Sequence, residues 1–436
     1  MKTRLTLFAA MMMFAFSQAQ YLKVDGKTLK TANGTPLILK GINYPVLEDH
    51  GIDLNDAQTF KSRIDEFIKT GSNTIRISWN TNGVHWRDLA TSGTPGTLQS
   101  YIDSGKLGEL IDYCSSKGLY TILEIHDKTC ENDWNYFNTK IMDFWKQTAI
   151  KNLVNARQDR VIINLANEFA FDSNHWSGSG NTAAIASNYS AAVSALRTAG
   201  YKVPIMIDAP NCGTASTTIN SIASSIYNAD NLKNIIFSVH TYWSGYAETN
   251  AAIDAKMLEI KNSPYYFFLG EIANKQDQNA CGDLDIANIY KRVLTKACEY
   301  GIGWLAWSYY YDCGGGPRNV TNNGLYSGLT PYGDDIVNNS VYGLKSTTCY
   351  STMAVGNQML DMKGIRIVPN PAKDDFKIES DKKVVSVQAF DFGGKLLKLK
   401  TTNNHDFKVQ SSTGVVNLKI KLEDGSEVAK KLIIEK

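Results

Sequence analysis

Short apolar runs alternate with amphipathic stretches through most of this 436-residue chain. The runs have the length of buried strands, and the stretches between them repeat their apolar residues with helical spacing. The runs predict eight strands, at residues 36–43, 73–79, 120–126, 161–168, 203–210, 234–242, 266–273 and 301–308. The stretches predict helices at residues 57–69, 106–117, 141–154, 183–197, 251–261 and 284–299. Eight such repeats favour an α/β fold, a closed (β/α)8 TIM barrel, over an open doubly wound sheet.

A short segment precedes the predicted barrel. Residues 21–35 contain an Asp-Gly and an Asn-Gly turn signal, and such dipeptides favour tight hairpin turns. We therefore expect a small hairpin that closes the bottom of the barrel.

The composition changes near residue 355. All eight tryptophans lie between Trp79 and Trp307, whereas the remainder is rich in lysine. That remainder, residues 365–436, has alternating patterns at 384–390, 395–400, 415–421 and 429–435 and is predicted to form a small β-sandwich. Residues 351–364 lack periodicity and are predicted to be a linker, which assigns residues 20–350 to the barrel domain.

The N-terminus has the pattern of a secretory signal peptide. Lys2 and Arg4 precede an apolar stretch at residues 5–16, and a small-residue cleavage site ends at Ala19. We expect residues 1–19 to be removed and the mature, exported chain to begin at Gln20. Later segments are too short or too polar for a transmembrane helix.

Cysteines and net charge restrict the function further. Seven cysteines in an exported chain predict one or two disulfides, whose connectivity the sequence leaves open. Their scatter lacks the spacing of a metal site, so we expect no metal and no cofactor. A net charge of +2 argues against a nucleic-acid surface, and we expect a monomer.

Polar residues end six of the predicted strands. Active sites of (β/α)8 barrels lie at the C-terminal ends of the strands, so these side chains are expected to meet at one mouth. They are Arg76, His126, Asn167, Glu168, His240, Tyr242, Glu271 and Trp307. Either glutamate alone is explained at least as well by an ion pair, because an uncompensated buried carboxylate is unstable. Together, with these neighbours, they predict a catalytic pair.

Two carboxylates beside an aromatic residue suit the hydrolysis of a glycosidic bond. One carboxylic acid protonates the leaving oxygen while the other attacks the anomeric carbon, provided that they lie about 5 to 5.5 Å apart. Arg76 and Tyr242 are suitable hydrogen-bond donors for Glu271. Asn167 is expected to bind the sugar 2-hydroxyl, and Trp307 offers a face for the sugar ring.

These strand ends resemble those of glycoside hydrolase family 5. The motifs are Ala166-Asn-Glu168, Phe268-Leu-Gly-Glu271, Thr74-Ile-Arg-Ile-Ser78, Glu124-Ile-His-Asp127, His240-Thr-Tyr242 and Trp304-Leu-Ala-Trp-Ser308. The resemblance implies a secreted retaining endo-β-1,4-glycanase in which Glu168 is the general acid/base and Glu271 the nucleophile. It also implies that Arg76, His126, Asn167, His240, Tyr242 and Trp307 form the innermost sugar site.

The resemblance implies a β-linked plant cell-wall polysaccharide as substrate, either β-mannan or glucomannan, or cellulose. The amino-acid sequences of several strands most resemble those of the bacterial β-mannanase branch of the family. The segments after Glu168 and around Trp243 differ from that branch. Both segments are expected to line outer subsites. Candidate sugar platforms, of which we expect two or three to act, are Trp79, Trp86, Trp134, Trp176 and Trp243.

The C-terminal segment resembles the sorting domain of the type IX secretion system of Bacteroidetes, from Val368-Pro-Asn-Pro371 to the terminal lysine-rich strand. This implies outer-membrane export and a partner in the secretion machinery, with the product released or attached to the cell surface. A carbohydrate-binding module is the alternative, but the tail lacks Trp and Tyr after Tyr350. For the whole chain, the alternative is a noncatalytic glycan-binding protein on a hydrolase scaffold.

Overall fold

The computed structural model divides the chain into two compact units, Met1–Cys349 and Tyr350–Lys436. The structure describes residues 21–47, 49, 52–81, 97–170, 181–313, 316–346, 348, 365–373, 375–380, 382–390, 396–401, 406–409, 414–423 and 427–434. The predicted signal peptide and linker lie outside the described residues.

The N-terminal unit begins with a three-stranded antiparallel sheet of β1 (Lys23–Asp25), β2 (Thr28–Lys30) and β3 (Pro36–Leu37). A closed barrel of parallel strands follows, and its strands are adjacent in chain order. They are β4 (Lys40–Asn43), β5 (Thr74–Trp79), β6 (Tyr120–Ile125), β7 (Val161–Asn164), β8 (Ile205–Asp208), β9 (Ile235–His240), β10 (Phe267–Ile272) and β13 (Trp304–Ala306). The short β11 (Lys275–Gln276) and β12 (Leu284–Asp285) pair with each other after β10.

Helices cover the outside of the barrel. They are α1 (Ala57–Phe67), α2 (Thr97–Asp103), α3 (Lys106–Ser116), α4 (Trp134–Tyr136), α5 (Met142–Lys146), α6 (Thr148–Asn155), α7 (Thr182–Thr198), α8 (Ser216–Ala229), α9 (Asn250–Asn262), α10 (Ala287–Tyr300) and α11 (Pro331–Asn338). Short 3₁₀ turns at Ile68–Thr70 and Tyr326–Gly328 and a π turn at Phe137–Ile141 complete them. None of the described helices has the length and hydropathy needed to span a bilayer.

Local sequence explains where several helices begin. Asp56, Asn181, Thr249 and Thr330 each accept a hydrogen bond from a backbone N–H of the first turn that follows. Such caps satisfy donors that have no partner inside the helix.

All eight predicted strands and all six predicted helices are present, with altered bounds. The run at 36–43 is divided between β3 and β4, and the run at 161–168 ends as a strand at Asn164. The predicted helix at 141–154 is interrupted at Gln147, whose ψ of 133° is not helical. Helix α8 was absent from the predicted set although Ile219, Ile222 and Ile226 line its buried face.

The small N-terminal sheet closes the bottom of the barrel, as predicted. Leu22, Val24 and Leu29 pack against the lower barrel residues Ile122 and Met206 in one apolar cluster. Asn234, just before β9, fixes the contact by accepting from the backbone of Val24 and donating to that of Leu22.

The C-terminal unit is a β-sandwich, as predicted. One sheet has the order β14-β15-β19-β18 and the other the order β17-β16-β20-β21. The strands are β14 (Arg366–Val368), β15 (Asp375–Glu379), β16 (Val384–Phe390), β17 (Leu396–Leu397), β18 (Leu399–Thr401), β19 (Asp406–Val409), β20 (Gly414–Leu422) and β21 (Glu427–Ile434). Phe376 and Phe407 of the first sheet share an apolar core with Leu418 and Leu432 of the second.

Candidate active site

The barrel interior changes from apolar to polar toward the C-terminal ends of its strands. The upper layer holds a set of almost completely buried polar side chains: Asn43, Arg76, Glu124, Asn164, Asp208 and His240. Buried polar groups of this kind are stable only when they are paired and hydrogen-bonded. The two glutamates contact this layer through Arg76 and His240.

Arg76 is the centre of this layer. Its guanidinium donates to Glu271 at 2.9 Å, to Asn167 at 2.7 Å and to Asn43 at 2.9 Å. Asn164 accepts two further hydrogen bonds from the same group. The carboxylates of Glu124 and Asp208 lie 3.7 Å and 3.5 Å from it. A planar guanidinium can hold this many oxygen atoms in fixed directions, which a lysine cannot.

Glu271, in β10, is surrounded by donors. One of its oxygens accepts from Arg76 and the other from the Tyr242 hydroxyl at 2.9 Å. Both of the donors expected from the sequence are therefore in place. Burial and the Glu271 carboxylate raise the pKa of Tyr242 well above its usual value, so this hydroxyl stays protonated and donates.

Glu168 lies beyond the end of β7, in a turn. Its φ is 47°, a left-handed conformation that is uncommon for a residue other than glycine. Its backbone N–H donates to Asp208 at 3.2 Å, and one carboxylate oxygen lies 2.7 Å from His240 Nδ1. Burial raises the pKa of the Glu168 carboxyl above its usual value.

The two glutamates converge on His240. A carboxylate oxygen of each glutamate and a ring nitrogen of His240 all lie within 4.8 Å of one another. Burial lowers the pKa of His240, but the carboxylates of Glu271 and Asp208 outweigh burial and raise it to about 9. The surrounding carboxylates therefore favour the protonated, cationic form of His240.

His126 is paired with Glu124, which lies two residues before it in the same strand-end motif. Its Nδ1 lies 2.9 Å from Glu124, and its ring stacks on Trp307 at 5.9 Å between centroids. Burial lowers the pKa of His126, but Glu124 more than offsets that effect and raises it. Glu124 thus fixes both the orientation and the charge of His126.

The close approach of β9 and β10 depends on Gly270. A Cβ at this position would lie 2.3 Å from Ser238 Oγ and 2.7 Å from His240 Nε2. Any larger residue would displace His240, and with it the contact to Glu168. This explains the glycine next to Glu271 in physical terms.

A cavity of about 550 Å³ opens above this layer. Four predicted site residues besides the glutamates line it, namely His126, Asn167, Tyr242 and Trp307. Its wall also contains Lys128, Thr129, Cys130, Glu131, Asn211, Cys212, Thr214, Gln276, Asp277 and Arg318. Volume and polarity suit a chain of sugar rings rather than a small apolar ligand.

Two residues predicted to bind sugar do not face the cavity. Arg76 and His240 are fully buried, and they contact the glutamates from the protein side. Arg76 donates to Glu271, and His240 contacts both glutamates.

Two of the predicted sugar platforms are also wrong. Trp79 and Trp243 have no exposed surface, and Trp243 donates to the carbonyl of Thr214. Phe169 is likewise buried, so the segments that contain Phe169 and Trp243 contribute to packing at these positions. Trp134 is half-buried against Phe137, Phe169 and Tyr189, and Trp86 and Trp176 lie outside the described residues.

Disulfides link Cys130 to Cys212 and Cys281 to Cys313. Cys298 is disulfide-bonded as well, so the expectation of one or two disulfides is too low. Cys114 is buried and free.

Three residues of the buried polar layer, Asn43, Asn164 and Asp208, were not among the predicted site residues. Glu124 was part of a quoted motif but had no predicted role. Each ends or nearly ends an apolar run, which is the signal by which the other site residues were found. Asp208 in particular follows three apolar residues of β8, and the strand-end rule applied to that run identifies it.

Two protein-family models match parts of the chain. The cellulase model, described as glycosyl hydrolase family 5, matches residues 31–312. A model described as a secretion system C-terminal sorting domain matches residues 366–435.

Individual relatives match about two thirds or more of the chain. A mannan endo-1,4-beta-mannosidase of Salipaludibacillus agaradhaerens is 29% identical over 286 residues, which cover 66% of this chain and 80% of the relative. One of Cellvibrio japonicus is 28% identical over 355 residues, covering 80% of this chain and 72% of the relative.

Solved structures share the fold. A crystal structure of beta-mannanase from Streptomyces thermolilacinus with mannohexaose superimposes with a TM-score of 0.59 at 22% identity. The match covers 76% of this chain and 98% of that one.

Proposed function

The chain belongs to glycosyl hydrolase family 5, and from this premise we propose that it is a secreted retaining endo-β-1,4-mannanase. It is a glycoside hydrolase with a C-terminal sorting domain that directs export to the cell surface or beyond. The substrate, the stereochemistry and the roles of individual residues are the proposed part.

One observation carries the proposal of retention. The carboxylate oxygens of Glu168 and Glu271 lie within 4.8 Å of each other. Retaining enzymes hold their carboxyl groups about 5–5.5 Å apart, whereas inverting enzymes leave about 6.5–9.5 Å for a water molecule. The short separation favours direct attack by a carboxylate.

Glu271 is the proposed nucleophile. Arg76 and Tyr242 both donate to its carboxylate, and hydrogen bonds to the charged form favour ionisation. In the first step a Glu271 oxygen forms a bond to the anomeric carbon while the bond from that carbon to the leaving oxygen breaks. The result is a glycosyl ester on Glu271.

Glu168 is the proposed general acid and then base. Burial raises the pKa of its carboxyl, so the group can hold a proton and pass it to the leaving oxygen in the first step. In the second step it takes a proton from water as that water attacks the anomeric carbon and releases the carboxylate of Glu271. The proton on Glu168 is thereby restored.

The remaining cavity residues bind the sugar at the point of cleavage. Trp307 supports the ring, and the ring of His126 stacks on that of Trp307. Asn167, held by Arg76 and by Thr129, is directed to the 2-hydroxyl. That contact strengthens in the transition state of glycoside hydrolysis.

The choice of mannan rests on the relatives. Two of them carry the name mannan endo-1,4-beta-mannosidase, and their matches cover 66% and 80% of this chain. The family model bears the name cellulase, so a β-1,4-glucan is the second candidate substrate.

We also propose the domain boundaries from the sequence. They are a signal peptide at 1–19, a catalytic barrel at 20–350, a linker at 351–364 and a sorting domain at 365–436. The division of the chain between Cys349 and Tyr350 supports the end proposed for the barrel. The enzyme is proposed to act as a monomer.

The test is release of reducing sugars by the purified protein from pure β-mannan, glucomannan and carboxymethylcellulose. Glu271→Gln serves as the blank, because it keeps the volume of the side chain and removes the nucleophile. Release from mannan and glucomannan alone supports the proposal. Release from carboxymethylcellulose alone replaces mannan by glucan, and release from none of the three contradicts a β-1,4-glycanase with this specificity.

A further inference from the structure

The Cys130–Cys212 disulfide lies directly against Glu168. Cys130 Sγ is 3.5 Å from Glu168 Oε2, and both half-cystines line the cavity. The bond joins the loop after β6 to the loop after β8. Glu168 belongs to the loop after β7, which lies between these two.

Backbone hydrogen bonds tie the same three loops together. Cys130 N–H donates to the Glu168 carbonyl at 3.1 Å, and Ala170 N–H donates to the Glu131 carbonyl at 3.0 Å. On the other side, Asn211 N–H donates to the Ala170 carbonyl at 3.1 Å. The Glu168 turn is therefore attached to both loops that the disulfide joins.

The backbone of these loops is unusual. Lys128, Cys130, Glu168, Ala170, Asn211 and Cys212 all have positive φ values, between 47° and 73°. A non-glycine residue in this conformation is strained and persists only where its surroundings over-determine it. The turn that presents Glu168 therefore depends on outside support.

The loop after β8 also contacts His240. The carbonyl of Gly213 accepts from the backbone N–H of His240 at 2.8 Å, and a Cβ on Gly213 would lie 2.6 Å from the imidazole ring. Cys212 is therefore next to Gly213, which packs against His240. His240 in turn is hydrogen-bonded to Glu168. The disulfide supports the acid/base residue and its partner together.

We propose that the Cys130–Cys212 disulfide is a positioning element for the acid/base Glu168, holding its turn and covering one carboxylate oxygen on the cavity side. The inference rests on the proposed role of Glu168. It assigns a function to one disulfide in particular, because Cys281–Cys313 contacts Arg318 instead.

Covering Glu168 also affects its protonation. Burial is the largest cause of its raised pKa, and the two sulfur atoms contribute to that burial. The groups that face Glu168 are the titratable side chains of His240, Glu271, His126, Asp208 and Tyr242 and, in the cavity wall, Lys128, Glu131, Asp277 and Arg318. None of these groups is substituted when the disulfide is replaced.

The test uses the full chain carrying Cys130→Ser and Cys212→Ser together, with Cys281→Ser and Cys313→Ser as the matched control. Two substrates separate positioning from folding. β-Mannan needs a protonated leaving oxygen, whereas a 2,4-dinitrophenyl β-mannobioside has a leaving group that departs without an acid.

We expect kcat/KM on mannan to fall at least about 10-fold in the Cys130/Cys212 variant, part of the roughly 10²–10⁴-fold supplied by a positioned general acid. On the aryl glycoside kcat/KM is expected to stay within about two-fold of the wild-type value. This corresponds to less than 0.5 kcal/mol in the activation free energy, because a factor of ten in rate corresponds to about 1.36 kcal/mol. The alkaline limb of the mannan pH profile moves to lower pH. The control double variant keeps the wild-type ratio between the substrates and the wild-type profile.

Three results overturn the inference: an equal loss on both substrates, an unchanged pH profile, or the same effect in the control variant. If the Cys130/Cys212 variant fails to fold, Cys212→Ala with Cys130→Ala and a circular dichroism check of the native fold replaces it. Wild-type protein inactive on both substrates refutes the proposed function instead, which keeps the two failures distinct.

Discussion

The carboxylates of Glu168 and Glu271 approach each other within 4.8 Å, although β8 and β9 separate the strands that lead to them. His240, at the end of β9, lies between them and contacts both. Arg76 and Tyr242 donate to Glu271, whereas burial raises the pKa of Glu168. Two identical side chains thus lie in different electrostatic environments, as the proposed roles of nucleophile and acid/base require.

Replacement of the acid by its amide tests the role of Glu168. Glu168→Gln keeps an acceptor for His240 but cannot supply a proton, so we expect kcat/KM on β-mannan to fall by about 10²–10⁴-fold. Reducing-sugar release measures it. Glu109→Gln, the same change on the exposed face of α3, controls for the loss of a carboxylate and is expected to retain full activity. Comparable activity of Glu168→Gln and wild type would refute the assignment.

The Tyr242 hydroxyl is expected to act through Glu271. Tyr242→Phe removes one donor from the carboxylate, and hydrogen bonds to charged groups contribute about 1.5–3 kcal/mol. We expect kcat to fall about 10- to 100-fold, with little change in KM. Tyr246→Phe is the matched control, because that hydroxyl contacts Thr217 away from the glutamates. Equal effects of the two substitutions contradict a specific role.

The pH profile should reflect the buried acid. Glu168 must be protonated to act, and burial raises its pKa above the usual value of 4.5. Activity is therefore expected to persist above that pH and to fall as pH rises through the raised pKa. A profile of kcat/KM against pH measures the limb. An alkaline limb at or below the ordinary glutamate value is the contrary result.

Stability should depend on pH through His240. Its folded pKa is about 9 against 6.5 for the free side chain, so its charge stabilises the fold fully below 6.5 and this contribution is lost as pH rises through about 9. We expect His240→Asn to lose less stability over that interval than wild type. Tryptophan fluorescence during urea unfolding reports on the barrel alone, since all eight tryptophans lie there. Equal losses in both proteins count against a charged His240.

Sequence predicted the barrel and the residues at its mouth because both follow from one periodic pattern. Each apolar run ends where a buried strand meets the polar mouth, so Glu168, Glu271 and their neighbours were visible as strand ends. The pattern could not distinguish residues that face the cavity from those behind it. Arg76 and His240 therefore were predicted to touch sugar, although they support the glutamates.

Tryptophan roles were the least predictable part. An indole suits a sugar platform or a core equally well, and only packing distinguishes them. Trp79 and Trp243 lie in the core, because the strand and loop that contain them direct their side chains inward. The pairing of Cys130 with Cys212 was also unreadable, since it depends on three loops that meet only in the folded barrel.

Substitution of two tryptophans should separate packing from binding. Trp243→Phe leaves a small cavity and an unpaired carbonyl at Thr214, so we expect a loss of about 1–3 kcal/mol in stability and an unchanged KM. Trp307→Ala should raise KM and lower kcat on mannan, since Trp307 lines the cavity. Urea unfolding and steady-state kinetics on both variants measure this. A raised KM in Trp243→Phe would restore that residue as a platform.

The covalent intermediate gives the most direct test of the account. The reagent is a 2,4-dinitrophenyl 2-deoxy-2-fluoro-β-mannobioside. Its fluorine destabilises both oxocarbenium-ion-like transition states, but the good leaving group offsets this effect in the first step only. The glycosyl ester therefore forms quickly and is released slowly. Protein is incubated with this reagent, digested with protease and analysed by mass spectrometry. The account predicts a disaccharide adduct on the peptide that contains Glu271. An adduct on Glu168, or inactivation with no adduct on either residue, would contradict the assignment of nucleophile and acid.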